Sequence, residues 1–155
     1  MKQRTLAIIK PDAIARRLTA KIIERIEMEG FRIVAMKLVH LTRPQAEGFY
    51  QVHREKPFFN GLIEFMMSGP CIVMVLEARQ AIRRWRDVMG ATDPNKAKPG
   101  TLRDMYGEKF HTKYGSPIQR NCVHGSDSPE TAETEIRYFF NALEIIPDKQ
   151  ETTPK

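Results

Sequence analysis

A histidine stands among small and polar residues near the end of the chain, in the stretch 121–128. The apolar run before it is typical of a strand, and Ser128, Pro129 and Glu130 are typical of the start of a helix. Free backbone N–H groups at such a start attract anions, so His124 would lie where a phosphate binds. Because an imidazole can attack phosphorus at pH 7 without first losing a proton, the position favours nucleophilic phosphoryl transfer.

Glu135 lies seven residues beyond Ser128, which is two turns of the helix that Ser128 would cap. Its carboxylate would return to the face of the cap and could hold one ring nitrogen of His124 while the other attacks. An alternative interpretation needs no chemistry: a polar histidine in a turn, followed by an ordinary helix cap. The histidine by itself does not decide between the two.

Common sequence motifs for binding nucleotides or transition metals are absent from the sequence. None of the nine glycines is followed by lysine, so there is no Walker A loop, and no GxGxxG fingerprint occurs. No HExxH motif or paired Cys/His spacing predicts a transition metal held by the protein. Cys71 and Cys122 lie in apolar runs, which indicates reduced core thiols in a cytoplasmic protein.

The composition, with 41% hydrophobic and 28% charged residues in a chain of 155, is typical of one globular domain. The 25 Lys and Arg against 19 Asp and Glu give a net charge of +6, which favours anionic partners. The longest apolar stretch, 71–76, is about a third of the length that spans a bilayer, so no membrane partner is expected. Residues 144–155 turn polar, and we expect them to form a flexible tail after a catalytic domain of residues 1–143.

The hydrophobic pattern predicts four strands, at residues 5–10, 31–41, 71–76 and 118–124. Helices are expected between Thr19 and Gly30, from Thr42, from Pro57, over 78–89, around 101–105 and from Pro129. The simplest fold for this order is α+β and ferredoxin-like, a four-stranded antiparallel sheet with helices packed on one face. Lys10 would then end the first strand and His124 the last.

Six motifs occur in the order in which the nucleoside diphosphate kinase family has them, and the likeness extends over residues 5–140. They are IKPD (9–12), KPFF (56–59), MSGP (67–70), GATDP (90–94), KPGTLR (98–103) and NCVHGSDS (121–128). The chain therefore resembles this family, which implies a ferredoxin-like fold and ping-pong transfer of the terminal phosphoryl group from a nucleoside triphosphate to a nucleoside diphosphate. The resemblance also implies a homo-oligomer, a tetramer or hexamer, and Mg²⁺ held mainly by the nucleotide phosphates, with no protein side chain assigned to the metal.

The resemblance further implies roles for individual residues. His124 matches the nucleophile that becomes phosphohistidine, and Glu135 and Ser126 match its hydrogen-bond partners. The positions near the transferred phosphate and the sugar hydroxyls are Lys10, Tyr50 and Asn121, and those of the phosphate clamp are Arg86, Thr92 and Arg103. Phe58 matches the ring on which the base stacks, with Leu62 beside it and Ile118 at the opposite wall. Because every base has a π face, stacking on Phe58 implies broad base specificity.

One departure from the family pattern lies between Arg103 and Asn121, where residues 104–117 are several more than the family commonly has. This longer segment leaves the oligomeric state and the contact of Ile118 open. A rival function from another class is nucleic-acid binding, which the net charge and a four-stranded sheet would suit. The Lys/Arg-Gly-Phe/Tyr pattern of an RNA-recognition motif is absent, so nucleic acid is not an expected partner.

Overall fold

One antiparallel sheet organises the chain in the computed structural model, which describes residues 2–109 and 119–148. Its strands are β1 (Lys2–Ile9), β2 (Arg32–Val39), β3 (Cys71–Arg79) and β4 (Val123–Gly125), in the order β2-β3-β1-β4. Every neighbouring pair is antiparallel, and Ile8 lies opposite both Val73 and His124. The predicted α+β fold with a four-stranded antiparallel sheet is confirmed.

The helices follow the predicted order, with one addition directly after the first strand. They are α1 (Pro11–Ala15), α2 (Thr19–Met28), α3 (Arg43–Phe49), α4 (Phe59–Met67), α5 (Ala81–Met89), α6 (Leu102–Tyr106) and α7 (Pro129–Phe139). The two predicted caps are present, since the side chains of Thr42 and Ser128 accept hydrogen bonds from the backbone N–H groups of Gln45 and Thr131. No helix in the described ranges has the length and apolar content needed to cross a membrane.

Several element boundaries differ from the prediction. The strand β3 continues to Arg79, and α5 begins only at Ala81, because Gln80 adopts a left-handed conformation with φ of 50° that separates the two elements. The last strand begins at Val123, since Cys122 has a φ of 62° that extended backbone does not allow. Residue 118, where that strand was predicted to start, lies outside the described residues.

Helices cover both faces of the sheet, so the expectation that they pack on one face is wrong. Alternate residues of β1 face two separate cores, Ala7 and Ile9 one of them and Leu6 and Ile8 the other. The helices α2 and α5 fill the first core, and α3, α4 and the end of α7 fill the second. The strands carry apolar residues on both sides because both sides are buried.

The segment that follows α7 lies against the second face of the sheet. The Ile146 N–H donates to the Val34 carbonyl at 2.8 Å, and the Ile146 carbonyl accepts from Arg4 at 3.1 Å. Glu144 pairs with Lys37, and Asp148 lies 3.6 Å from the Lys2 ammonium. The predicted start of the tail at 144 therefore falls inside a packed segment, and 149–155 lie outside the described residues.

Candidate active site

His124 is held where the short strand β4 meets the first residues before α7. Its carbonyl accepts a hydrogen bond from the Trp85 ring N–H at 3.1 Å, and its backbone pairs with Ile8 of β1. The next position must be glycine, because a Cβ on Gly125 would lie 2.5 Å from Cδ1 of Trp85 and 2.7 Å from Cε of Met89. The close approach of α5 to β4 thus fixes the backbone on which the imidazole stands.

The ring of His124 is oriented by the acidic residue that the helical spacing predicted. Its Nε2 lies 2.5 Å from the Glu135 carboxylate, and the Ser126 hydroxyl donates to the same carboxylate oxygen at 3.4 Å. Ser126 is itself fixed, since its hydroxyl accepts from the Leu6 N–H at 3.1 Å. Nδ1 of His124 makes no hydrogen bond within the parts of the chain that the structure describes, and the side chain is 21% exposed. That nitrogen is the one available to a substrate.

A buried pair joins the end of β1 to the residues before β4. The Lys10 ammonium donates to the Asn121 side-chain oxygen at 2.8 Å, and the Asn121 amide donates to the Thr92 carbonyl at 2.9 Å. Lys10 is only 7% exposed and Asn121 only 1%. Three distant segments of the sequence are therefore brought together beside His124, as the motifs predicted.

Arg103 braces the same region from α6. Its guanidinium donates to the carbonyls of Asn121 at 3.3 Å, Gly90 at 3.0 Å and Val123 at 2.7 Å. Since a guanidinium has five N–H donors, two remain that the described residues do not use. Burial lowers the pKa of Arg103 to about 10, and the residue remains a cation at pH 7.

Lys10 loses its positive charge at a lower pH than Arg103 does. Burial, followed by the neighbouring Arg103 cation, lowers the pKa of Lys10 from its ordinary value of 10.5 to about 8. The Asp12 carboxyl, 4% exposed, acts in the opposite direction, and its Oδ2 accepts from the Cys122 N–H at 3.1 Å. The site thus holds two buried cations, and Arg103 lies close enough to lower the pKa of Lys10.

The remaining residues assigned to the phosphate clamp lie at the surface. Arg86 of α5 is half exposed, and its guanidinium lies 2.9 Å from the exposed carboxylate of Asp127. Thr92 is exposed, and it is the carbonyl of this residue that Asn121 contacts. A flexible exposed pair such as Arg86 with Asp127 contributes little stability, so the guanidinium can exchange this partner for another anion.

Aromatic side chains form the wall of the site on the side of α3. The ring of Tyr50 lies 6.5 Å from the His124 ring, and its buried hydroxyl has no hydrogen-bond partner among the described residues. Burial, with smaller contributions from Cys71 and Glu135, raises the pKa of Tyr50 well above its ordinary value. The hydroxyl is therefore a neutral donor that lacks an acceptor.

Two residues near the site were not found from the sequence. The ring of Phe49 lies 5.5 Å from His124 in an edge-to-face arrangement, and the ring of His53 lies between Tyr50, at 6.5 Å, and Phe58, at 5.5 Å. Their position within three residues of Tyr50 in the sequence could have indicated them. The hydrophobic periodicity, however, does not distinguish Phe49 from a core residue or His53 from a solvent-exposed one.

Of the residues predicted to contact the base, Phe58 is exposed and Leu62 is buried. Phe58 is 47% exposed just before α4, so one side of its ring is accessible for stacking. Leu62 is 8% exposed and belongs to the core on the second face of the sheet, one turn further along the same side of α4. Ile118 lies outside the described residues, so the opposite wall of the base site stays a prediction.

The arrangement combines a hydrogen-bonded imidazole, a set of cations and an exposed aromatic ring. No group of three or more His, Cys, Asp or Glu side chains that could hold a metal ion occurs within residues 2–109 and 119–148. An imidazole with one nitrogen fixed by a carboxylate can act as a nucleophile, and the cations can offset the charge of an anionic substrate. The geometry supports group transfer from a polyanion.

Comparisons with known proteins agree with this chemistry. The family model described as nucleoside diphosphate kinase matches residues 3–145. Nucleoside diphosphate kinases of Nitratidesulfovibrio vulgaris strain DP4 and Trichlorobacter lovleyi are 52% and 54% identical, covering 94% and 93% of this chain and 99% of each relative. The Aquifex aeolicus nucleoside diphosphate kinase has a TM-score of 0.85 and 42% identity, over 94% of this chain and 100% of that one. The Halobacterium salinarum enzyme, solved in complex with CDP, has a TM-score of 0.85 and 36% identity, over 97% and 95%.

Proposed function

Because the chain belongs to the nucleoside diphosphate kinase family, we propose that His124 carries the phosphoryl group between its two nucleotides. The enzyme is a phosphotransferase that moves the terminal phosphoryl group of a nucleoside triphosphate to a nucleoside diphosphate. Its relatives match it over nearly their whole length. The observation that supports His124 is the contact of its Nε2 with Glu135, which leaves Nδ1 without a hydrogen bond among the described residues.

The transfer proceeds in two halves at one nitrogen. With the proton on Nε2 and donated to Glu135, the lone pair of Nδ1 attacks the terminal phosphorus, the bond from phosphorus to the bridging oxygen breaks, and the nucleoside diphosphate leaves. A terminal oxygen of a second nucleoside diphosphate then attacks the same phosphorus and breaks the phosphorus–nitrogen bond. Glu135 stabilises the positive charge of the imidazole ring during each half of the transfer. The Ser126 hydroxyl holds the Glu135 carboxylate in place.

Charge stabilisation comes from cations on three different elements. Lys10 and Arg103 lie buried beside Asn121, where a low effective dielectric strengthens their attraction to phosphate oxygens. Arg86 would leave Asp127 and join the clamp as the nucleotide enters. The Tyr50 hydroxyl, which has no hydrogen-bond partner among the described residues, would donate to a phosphate oxygen, and Asn121 and Thr92 would complete the polar lining.

The side chains present also fit a magnesium ion that the substrate carries. A hard cation that keeps water and phosphate ligands needs no cage of carboxylates, and the nearby Glu135 carboxylate is already paired with His124. Mg²⁺ bound to the phosphates would neutralise part of their charge and hold them in a fixed arrangement. The protein's own part is to bind that complex through its cations.

Recognition of the base relies on stacking. The exposed ring of Phe58 would support any base, with Leu62 proposed beside it and Ile118 for the other wall. Nucleic-acid binding through the sheet is disfavoured, because helices cover both of its faces in the described part of the chain. An RNA-recognition motif needs an open sheet face on which bases stack.

The phosphoenzyme can be detected directly. Incubation with γ-labelled ATP and Mg²⁺, without an acceptor, should attach close to one acid-labile phosphoryl group per chain. A His124→Ala variant should remain unlabelled, and a His40→Ala variant, which changes an exposed histidine bonded to the Met67 carbonyl, should label like the unmodified enzyme. Stoichiometric labelling of His124→Ala would contradict the assignment.

We also propose a cytoplasmic homo-oligomer. The strand β2 is at the edge of the sheet, and Met36 and Leu38 on it are 54% and 69% exposed, a surface that a second copy would cover. Both described cysteines are free thiols, as expected in a reducing compartment. Light scattering should give a mass of four or six chains, and Leu38→Glu should reduce it.

A further inference from the structure

Asp12 is a buried acid at the site to which the mechanism above gives no task. It is the second residue of α1, directly after the β1 strand that ends beside Lys10, and it is 4% exposed. A carboxylate that is removed from water is costly unless its surroundings compensate it. Its surroundings supply two kinds of compensation, a hydrogen bond from the backbone and the positive charge of Lys10.

The backbone contact joins Asp12 to the turn before β4. Oδ2 of Asp12 accepts from the Cys122 N–H at 3.1 Å, and the Cys122 carbonyl accepts from the Lys10 N–H at 2.9 Å. The N–H and the carbonyl of Cys122 are thus both hydrogen-bonded to the segment from Lys10 to Asp12. This anchoring is needed because Cys122 has a φ of 62°, which a residue with a side chain adopts only when its surroundings impose it.

The turn at Cys122 determines where the reacting groups lie. Asn121, which precedes it, accepts the hydrogen bond of the Lys10 ammonium, and Val123, which follows it, accepts from Arg103. His124 is the next residue. A shift of the Cys122 peptide would therefore move the lysine partner and the nucleophile together.

The second compensation is electrostatic and involves Lys10. Among the described residues, three titratable groups act on the charge of its ammonium: Arg103 of α6, Asp12 of α1, and the Cys122 thiol. Burial raises the pKa of the thiol to about 12, so it is neutral over the working range, and Arg103 repels the ammonium. Asp12 is then the group among them whose negative charge favours the ammonium. Burial raises the pKa of Asp12 itself, and the Lys10 charge and the Cys122 N–H act against that rise. Oδ1 of Asp12 makes no hydrogen bond within the described residues.

We propose that Asp12 is a positioning residue for phosphoryl transfer, which fixes the Cys122 turn through one oxygen and keeps the Lys10 ammonium protonated through its charge. The inference rests on the proposed function, because it needs Lys10 as the cation that faces the transferred phosphate. It adds a residue that touches no substrate. Its two contributions, the hydrogen bond and the charge, can be separated by substitution.

Asp12→Asn removes the charge and keeps an oxygen that can accept from the Cys122 N–H. Lysine labelled with ¹³C at the ε position gives a direct titration of Lys10, assigned by its loss in Lys10→Arg. The midpoint should lie near pH 8 in the unmodified enzyme and fall by about one pH unit or more in Asp12→Asn, as expected for loss of a nearby opposite charge. Asp87→Asn, which removes an exposed carboxylate from α5, should leave the midpoint unchanged.

The second readout is the pH dependence of kcat/KM, which reports ionisations of the free enzyme. Its alkaline limb should move down by the same amount in Asp12→Asn, while the acid limb stays in place. A lower value at every pH with an unmoved midpoint and limb would mean a structural role only and would overturn the proposal. A moved Lys10 midpoint with an unmoved limb would instead refute the task given to Lys10 in the proposed function.

Asp12→Glu keeps the experiment decisive if Asp12→Asn does not fold. The glutamate retains the charge but displaces the carboxylate by one methylene, so the Lys10 midpoint should stay near that of the unmodified enzyme. The plateau of kcat/KM should fall about tenfold or more, because the Cys122 turn is no longer held at the same place. An unchanged plateau would show that the turn does not depend on Asp12.

Discussion

Replacing Lys10 by methionine should change how the stability of the protein depends on pH. The lysine is 7% exposed, and burial with the Arg103 cation lowers its pKa from 10.5 to about 8. In the unfolded chain the ammonium is solvated, so between these two pH values the unfolded state binds more protons than the folded one. The lysine therefore destabilises the fold fully below about pH 8, and the destabilisation fades as the pH rises toward 10.5.

The size of this effect follows from the pKa difference. Each tenfold change in a protonation equilibrium is worth about 1.4 kcal/mol, so the full penalty on the folded state is on the order of 3 kcal/mol. Between pH 7 and pH 10 the free energy of unfolding of the unmodified enzyme should rise by about 2–3 kcal/mol relative to Lys10→Met. The difference between the two proteins is the predicted quantity, because the variant also loses the hydrogen bond to Asn121.

Urea unfolding at intervals of half a pH unit measures this difference at constant ionic strength. Lys21→Met, which removes an exposed lysine from α2, is the matched control and should show no comparable dependence. Lys10→Met should at the same time lose about 10²- to 10³-fold in kcat, as expected for loss of one preorganised charge. A difference that stays flat from pH 7 to pH 10 would refute the claim that Lys10 is held as a strained cation.

Three further predictions concern other parts of the site. Glu135→Gln should lower kcat about ten- to a hundredfold, the value of a hydrogen bond to a charged ring, and an unchanged phosphorylation rate in rapid quench would exclude a role for Glu135 in orienting His124. Phe58→Ala should raise KM for ATP and CTP alike, by roughly five- to a hundredfold, whereas a loss confined to one base would argue against stacking. Gly125→Ala should lower the free energy of unfolding by about 1–3 kcal/mol through overlap with Trp85, measured by thermal denaturation; unchanged stability would show that α5 can move away from β4.

The fold was largely predictable because its signals are local. Thr42 and Ser128 cap helices where their spacing indicated, and the alternating cores of β1 and β3 come from continuous apolar runs. Such runs also explain the error about the helices: a strand buried on both sides gives no alternation, so it does not reveal that a second layer covers the other face. The short helix α1 was missed because a helix of five residues that begins at a proline gives too little periodicity.

Several spatial neighbours at the candidate site were predictable from the sequence, and their roles stay predictions. Motif order placed Lys10, Asn121 and Arg103 together, and seven residues of helical spacing placed Glu135 opposite His124. Sequence patterns could not show that Arg103 donates three hydrogen bonds to backbone carbonyls. Those carbonyls belong to segments that lie before and after α6 in the chain. Sequence patterns also gave no sign of Asp12 as a contact of Cys122, since the two are 110 residues apart.

The site lies where two irregular connections meet, and this placement has a physical reason. Regular strands and helices pair their backbone groups with each other, whereas Cys122 pairs its carbonyl with the Lys10 N–H and its N–H with the Asp12 side chain. These hydrogen bonds support a left-handed residue, and Asn121 binds the buried lysine ammonium. A side chain attached to this junction, such as that of His124, moves little, because any displacement breaks several buried hydrogen bonds at once. The unfavourable burial of Lys10 and the left-handed backbone of Cys122 thus occur at a junction that fixes the position of His124.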